Sequence, residues 1–295
     1  MAVMVFFSCD DGSDNLNKEK ELRLLKQYLE ANNITVEPES SGLYYILSKE
    51  GSGTSPGIND WVIIRYTARL INNRIFDTTD ESTAISNNIY STSILYGDKR
   101  MEIQQMGLTG VREGLLLMKE GGRASLIIPS FIGYGSDGMG SVPGYTTLIY
   151  DIELLKVITD AEAYEQQMID EYIAGYADST HLTYEKHESG MYYIELQEGT
   201  GEGFTDESEK ASVYYTGALT DGRVFDSNIG GNPFIFDLGA NNTIPGFEEG
   251  VKLLKIEGRS RIVLPSSIAY GEEGSGDKIP GYTPLVFDLR LVDIQ

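Results

Sequence analysis

Few side chains in this 295-residue sequence could make or break a covalent bond. It has one cysteine, Cys9, and two histidines, His181 and His187, both in one polar stretch. No Ser/His/Asp set, no second thiol and no group with metal-ligand spacing stands out, so neither nucleophilic nor metal chemistry is expected. The second half offers instead an apolar and aromatic set: Tyr215, Phe225, Phe234, Phe247, Tyr270, Ile279 and Phe287, with Asp226 among them. An aromatic side chain buries about 150 to 250 Å² and can pack a core or line a pocket. Asp226 taken alone reads as a turn or surface residue. Composition leaves these alternatives open.

The surrounding string occurs twice. YYTGALTDGRVFDSN (214–228), IPGFEEG (244–250), LPSSIAYG (264–271) and IPGYTPLVFDLRLV (279–292) are matched by IRYTARLINNRIFDTT (64–79), LTGVREG (108–114), IPSFIGYG (128–135) and VPGYTTLIYDIELL (142–155). The offset, Tyr66 to Tyr215, is 149 positions. Solenoid repeats have periods of roughly 20 to 50 residues, so this is one domain present in two copies. The length fits two domains of about 100 to 200 residues each.

Period-two alternation marks strands with one buried face: Val213, Tyr215, Gly217 and Leu219, then Leu285, Phe287, Leu289 and Leu291, with Leu148, Tyr150, Ile152 and Leu154 as the first-copy equivalent. Phe247, Val251 and Leu254 stand at i, i+4 and i+7, a stripe of a short helix opened by Pro245; Val111, Leu115 and Met118 repeat it. Each copy has a helical preface. Leu22, Leu25 and Leu29 form one stripe; Tyr164, Met168 and Tyr172 with Ile169 and Ile173 form the other, capped by Thr159 or Asp160. Both lead into SGLYYI or SGMYYI and a Gly-rich turn. The expected fold is α+β, two antiparallel sheets each wrapped on a short helix. Residues 1–17 read as a tether, 18–158 as the first domain and 159–295 as the second.

The second string resembles the FKBP-type peptidyl-prolyl cis-trans isomerases, through Tyr215, Gly217, Leu219, Asp221-Gly222, Phe225-Asp226-Ser227, Pro233-Phe234, Phe236, Leu238-Gly239, Ile244, Gly246-Phe247, Gly250, Ala269-Tyr270-Gly271, Ile279-Pro280, Leu285 and Phe287. The resemblance covers roughly 189–295 and more weakly 41–158. It implies rotation about X-Pro bonds in a shallow pocket, with Phe247 as floor where the family more often has tryptophan. Phe225, Phe234 and Phe287 would be walls, with Ile279 beside them. It also implies that the Ile244 N–H and the Tyr270 hydroxyl hold substrate carbonyls, and that Tyr215 fixes the Asp226 carboxylate. No cofactor is implied. The implied partners are proline-containing polypeptides and macrolide inhibitors, although the loop after Asp226 lacks an arginine that the family commonly has there.

In the first copy Tyr66, Phe76, Asp77, Leu108, Tyr134, Val142 and Tyr150 occupy the matching positions, but Val111 stands at the floor and no P-F-x-F segment precedes Gly97. Asp77 to Gly97 spans 20 positions against 13 for Asp226 to Gly239; Gly97 to Gly114 spans 17 against 11 for Gly239 to Gly250. Two longer loops around an eroded pocket point to binding or spacing. Catalysis is expected in the second domain. The alternative is a chaperone without turnover, or an assembly lipoprotein of a surface or secretion machine.

A net charge of −22 disfavours nucleic acid and anionic lipid surfaces. No apolar run is long enough to span a membrane. Phe6-Phe7-Ser8 before Cys9, with Asp10-Asp11 after it, reads as a lipoprotein signal and Cys9 as a lipid anchor. The expected location is the cell envelope, held to the membrane only through that anchor.

Overall fold

The structure, a computed structural model, describes residues 12–180, 182–206 and 209–295; Cys9 and His181 lie outside them. It divides into two compact units, the main boundary falling between Thr159 and Asp160.

The first unit runs α1 (Gly12–Ala31), β1 (Tyr44–Lys49), β2 (Trp61–Leu70), β3 (Ile75–Thr78), α2 (Glu81–Ser86), β4 (Lys99–Glu102), α3 (Thr109–Leu116), β5 (Arg123–Ile128) and β6 (Leu148–Ile158). Its antiparallel sheet has the order β1-β5-β6-β2-β3, with β4 also paired to β2. The second unit runs α4 (Ala161–Thr180), β7 (Glu185–Lys186), β8 (Tyr192–Gln197), β9 (Lys210–Leu219), β10 (Val224–Ser227), β11 (Phe234–Asp237), α5 (Pro245–Lys252), β12 (Arg259–Leu264) and β13 (Leu285–Ile294). Its order is β10-β9-β13-β12-β8-β7, with β11 on β9. The α+β expectation holds, and the same plan is built twice.

Alternation along the closing strands produces the main cores. Leu148, Tyr150, Ile152 and Leu154 pack with Val111, Leu115 and Met118 in the first unit; Leu285, Phe287, Leu289 and Leu291 pack with Phe247, Val251 and Leu254 in the second. Leu254 lies just past the end of α5, so the buried stripe outlasts the helix. The sheets are covered on their other faces as well. Leu25 of α1 packs on Ile127 and Ile149, and Ile169 and Ile173 of α4 pack on Tyr192, Ile194, Val263 and Val286.

The helical stripes are rotated from the spacing-based expectation. Leu22 is 56% exposed, and Glu21 faces inward beside Leu25. In α4 the deep line is Glu165, Ile169 and Ile173, with Tyr164, Met168 and Tyr172 at its margin. Of the two candidate caps, Asp160 is the one that acts, accepting the Ala163 N–H at 2.9 Å.

Each leading helix is also tied to its sheet by an arginine that bridges a helix phenol and a closing-strand aspartate. In the first unit Arg69 of β2 donates to Tyr28 at 3.2 Å and to Asp151 at 3.3 Å. In the second, Arg261 of β12 donates to Tyr172 at 3.2 Å and to Asp288 at 2.6 and 2.7 Å. The aspartates are equivalent, whereas the arginines come from strands on opposite sides of the closing strand.

The extra length of the first copy is one insertion, not two longer loops. β4 pairs with β2 as β11 pairs with β9, so Lys99 and Met101 stand where Phe234 and Phe236 stand. Gly97 therefore precedes this strand and is not the counterpart of Gly239. Residues 79–98 join β3 to β4, against 228–233 between β10 and β11, whereas 103–108 and 238–244 are nearly equal. Part of the insertion is helical: Asp80 caps α2 by accepting the Thr83 N–H at 2.7 Å.

Candidate active site

In the second unit β9, β10, β11, α5 and β13 bring the aromatic set together. Phe247 on α5 is the hub, 4% exposed, with ring centroids 5.4 Å from Tyr215, 5.2 Å from Phe287, 6.3 Å from Phe234 and 5.8 Å from Phe236. Most of these contacts are edge-on, an arrangement worth about 0.5–1.5 kcal/mol per pair beyond burial. Phe225 meets Phe287 edge-on at 5.6 Å. Ile279 is buried in the same cluster. Phe234 and Tyr270 are 36% and 37% exposed, so the cluster is dry below and open at its rim.

Regular β alternation would send Phe225 and Asp226 to opposite faces. A register shift on β10, where Val224 pairs with Ala218 and Asp226 with Gly217, leaves Phe225 as an extra residue. The ring thereby reaches Phe287 while the neighbouring carboxylate accepts the Tyr215 hydroxyl at 2.6 Å. Gly217 is required beneath them. A Cβ there would stand 2.6 Å from the Phe225 ring and 2.8 Å from Phe287.

The polar groups at the rim are donors. Burial first, then the hydrogen bond to Asp226 and its charge, pushes the Tyr215 phenol well above its ordinary range. Burial followed by the charge of Asp226 also raises Tyr270. Both phenols therefore stay protonated near neutral pH. Ile244 is the N-cap of α5 in extended conformation, with Pro245 as the first helical residue. Among the described residues its N–H has no hydrogen-bond partner, as befits the start of a helix, where N–H groups lack acceptors within the helix.

Sequence reasoning missed two neighbours. Phe236 stacks on Phe234 at 5.4 Å, and the second phenylalanine of P-F-x-F was its signal. Lys278 donates to the Phe225 carbonyl at 3.1 Å, tying the segment before Ile279 to the bulged strand; no pattern in the sequence marks it.

The first unit keeps the polar half of this arrangement. Tyr66 donates to Asp77 at 2.7 Å, across the same bulge at Phe76. Phe76 lies 6.0 Å from Tyr150 and 6.5 Å from Tyr134, and Tyr66 lies 5.7 Å from Tyr150. Val111 and Val142 are buried nearby, and Leu108 is the N-cap of α3. Ala68 replaces Gly217 opposite the closing strand, where Tyr150 replaces Phe287. Burial, then the Tyr134 phenol, pushes Tyr150 well above its ordinary range.

Among the described residues no group of three or more His, Cys, Asp or Glu could hold a metal ion, and no helix is long and apolar enough to cross a membrane. His187 lies 3.7 Å from Glu249, apart from the aromatic cluster.

Both copies of the repeat match known proteins in sequence. The model of the FKBP-type peptidyl-prolyl cis-trans isomerases matches residues 53–155 and 201–292. The chain is 28% identical over 242 residues to the peptidyl-prolyl cis-trans isomerase FKBP9 of Homo sapiens, covering 81% of this chain and 35% of that protein. It is 40% identical over 145 residues to the FKBP-type peptidyl-prolyl cis-trans isomerase FkpA of Aeromonas hydrophila, covering 48% of this chain and 52% of that one. The crystal structure of FkpA from Escherichia coli aligns at 32% identity with a TM-score of 0.40, over 45% of this chain and 61% of that one. The chain thus spans about a third to a half of the length of these two curated relatives. With both copies matched, the chain belongs to the family of FKBP-type peptidyl-prolyl cis-trans isomerases.

Proposed function

We propose that the second unit catalyses cis-trans isomerisation of X-Pro bonds in polypeptides, and that the first unit binds or spaces rather than turns over. The observation that carries this reading is the Tyr215–Asp226 pair, at 2.6 Å, set at the rim of an aromatic cluster floored by Phe247. X-Pro rotation is slow because amide resonance opposes it with a barrier of about 18–20 kcal/mol. No bond needs to be made. The twisted amide must be bound better than either planar form. The planar amide is the more dipolar, so transfer into a dry aromatic cup favours the twisted state. The Ile244 N–H and the Tyr270 hydroxyl would hold carbonyls on either side of the proline. Asp226, held by Tyr215, would stand beside the rotating bond. Phe225, Phe234 and Phe287 would exclude water, with Ile279 closing the wall.

A polypeptide-binding role without turnover is favoured for the first unit by a specific contrast. Tyr66 and Asp77 keep their bond while Val111 leaves the floor without a ring. Isomerisation of a proline tetrapeptide by the full chain tests the whole reading. Phe247→Val, which gives the second unit the first unit's floor, should remove most of the turnover. Full turnover by a folded Phe247→Val protein would refute it.

The clients we propose are exported polypeptides, met at the cell envelope by a protein anchored through Cys9. Phe6-Phe7-Ser8 before the thiol and the acidic residues after it support this. In its own cells the protein should incorporate palmitate, and Cys9→Ala should abolish the label. An unlabelled native protein in the cytosol would end the proposal.

A further inference from the structure

We propose that Glu165, on the helix that opens the second unit, is a positioning residue for the Tyr270 hydroxyl and acts through Ser266. The inference rests on the reading of Tyr270 as a donor to substrate.

Glu165 is 7% exposed, on a helix face otherwise made by Ile169 and Ile173. A carboxylate taken out of water is costly unless it is well bonded, and an apolar side chain would pack that face without the cost. The carboxylate accepts both donors of one residue, the N–H and the hydroxyl of Ser266, the latter at 2.8 Å. Ser266 opens the 3₁₀ turn Ser266–Ile268 directly after Pro265. Its N–H therefore has no acceptor within the turn. The Ser266 carbonyl in turn accepts the N–H groups of Ala269 and Gly271, each at 2.8 Å. Those two residues flank Tyr270. Gly271 takes φ +63°, and the Tyr270 carbonyl accepts the Gly274 N–H at 3.1 Å. One buried carboxylate thus fixes the residue on which the backbone on both sides of Tyr270 hangs.

The first unit repeats the device. Glu21, 6% exposed, accepts the Ser130 N–H at 2.7 Å, the Ser130 hydroxyl at 2.6 Å and the Thr147 hydroxyl at 2.8 Å. The Ser130 carbonyl accepts from Gly133 and Gly135, on either side of Tyr134. This unit has lost the aromatic floor and kept the clamp, so the clamp belongs to the tyrosine turn and not to the floor.

The test is a double-mutant cycle in the full chain. Glu165→Leu keeps an apolar contact on the helix face and removes both acceptors. It should lower kcat/KM on the order of fivefold, while in a Tyr270→Phe background the same change should cost less than about twofold. Glu165→Gln, whose amide can accept the Ser266 N–H and donate to its hydroxyl, should restore most of the loss. If Glu165→Leu unfolds the unit, Ser266→Ala replaces it in the same cycle. Amide exchange gives a readout independent of turnover: protection at Ala269 and Gly271 should fall in Glu165→Leu while protection along β12 and β13 persists. Equal losses with and without Tyr270, or unchanged protection at Ala269 and Gly271, would overturn the proposal. If the wild-type chain has no turnover, the isomerase reading fails by itself, and the exchange result still decides whether Glu165 sets the turn.

Discussion

In the second unit a phenylalanine floor, a glycine beneath the Phe225 and Phe287 walls and two further rings on β11 surround the tyrosine–aspartate pair, whereas the first unit holds the same pair over Val111, Ala68, Lys99 and Met101. The polar bond and the bulge that creates it are properties of the scaffold, since both survive where the rings of the floor and of β11 do not. What separates the units is the set of rings beside that bond, since Phe247, Phe234 and Phe236 have no aromatic counterpart in the first unit. If desolvation of the amide drives isomerisation, turnover should follow the rings and not the carboxylate alone.

The sharpest break of this comparison is paired substitution in the full chain. Phe225→Ala and Asp226→Val should each lower kcat/KM on the order of tenfold or more, about 1.4 kcal/mol of transition-state stabilisation. Phe76→Ala and Asp77→Val should leave it within about twofold. Turnover of an X-Pro peptide, read beside thermal unfolding because loss of a buried Phe costs about 3–5 kcal/mol, decides it. Greater loss from the first-unit pair would reverse the assignment.

A smaller effect tests the walls from below. Gly217→Ala copies Ala68 into the second unit and presses on the rings of Phe225 and Phe287. Overpacking of this kind costs about 1–3 kcal/mol. The unfolding midpoint of that unit should fall and KM should rise. An unchanged midpoint would mean that the rings shift freely and that glycine is not required there.

The smallest expected effect is alkaline. Tyr150 is 5% exposed and strongly raised, and its counterpart Phe287 cannot titrate. A phenol whose folded pKa lies above the unfolded value of about 10 keeps its full contribution below pH 10. Above it the unfolded chain ionises first and stability falls. Unfolding followed unit by unit should show the first unit losing stability above pH 10 and Tyr150→Phe, which copies Phe287, lessening that loss, while raised Tyr172, Tyr193, Tyr215 and Tyr270 give the second unit a loss of its own. Turnover should stay flat between about pH 6 and 9, since Tyr215 and Tyr270 keep their protons there. A first unit whose alkaline loss is unchanged by Tyr150→Phe would break the contrast.

Strand alternation and motif spacing made the sheets, both short helices and the aromatic cluster legible, because buried apolar periodicity and ring-bearing motifs survive as letters. Glu21 and Glu165 were not legible. A glutamate in a charged helix reads as solvated, and only the fold shows a serine N–H waiting for it. For the same reason Leu22 was expected inside and lies outside. The insertion was misplaced because Gly97 offered a ready match to Gly239, whereas strand pairing, which the sequence does not display, aligns residues beyond it. Lys278 bonds to a backbone carbonyl, and a main-chain acceptor leaves no trace in residue identity.

The migration of the arginine from β2 in one unit to β12 in the other leaves its two partners in place. Tyr28 follows Glu21, and Tyr172 follows Glu165, at the same spacing, and Asp151 and Asp288 hold the same place on the closing strands. Tandem domains of similar sequence can exchange elements while folding. Either helix would present a phenol to the guanidinium of the other sheet. The bridge therefore fixes where a leading helix docks and not which of the two docks there.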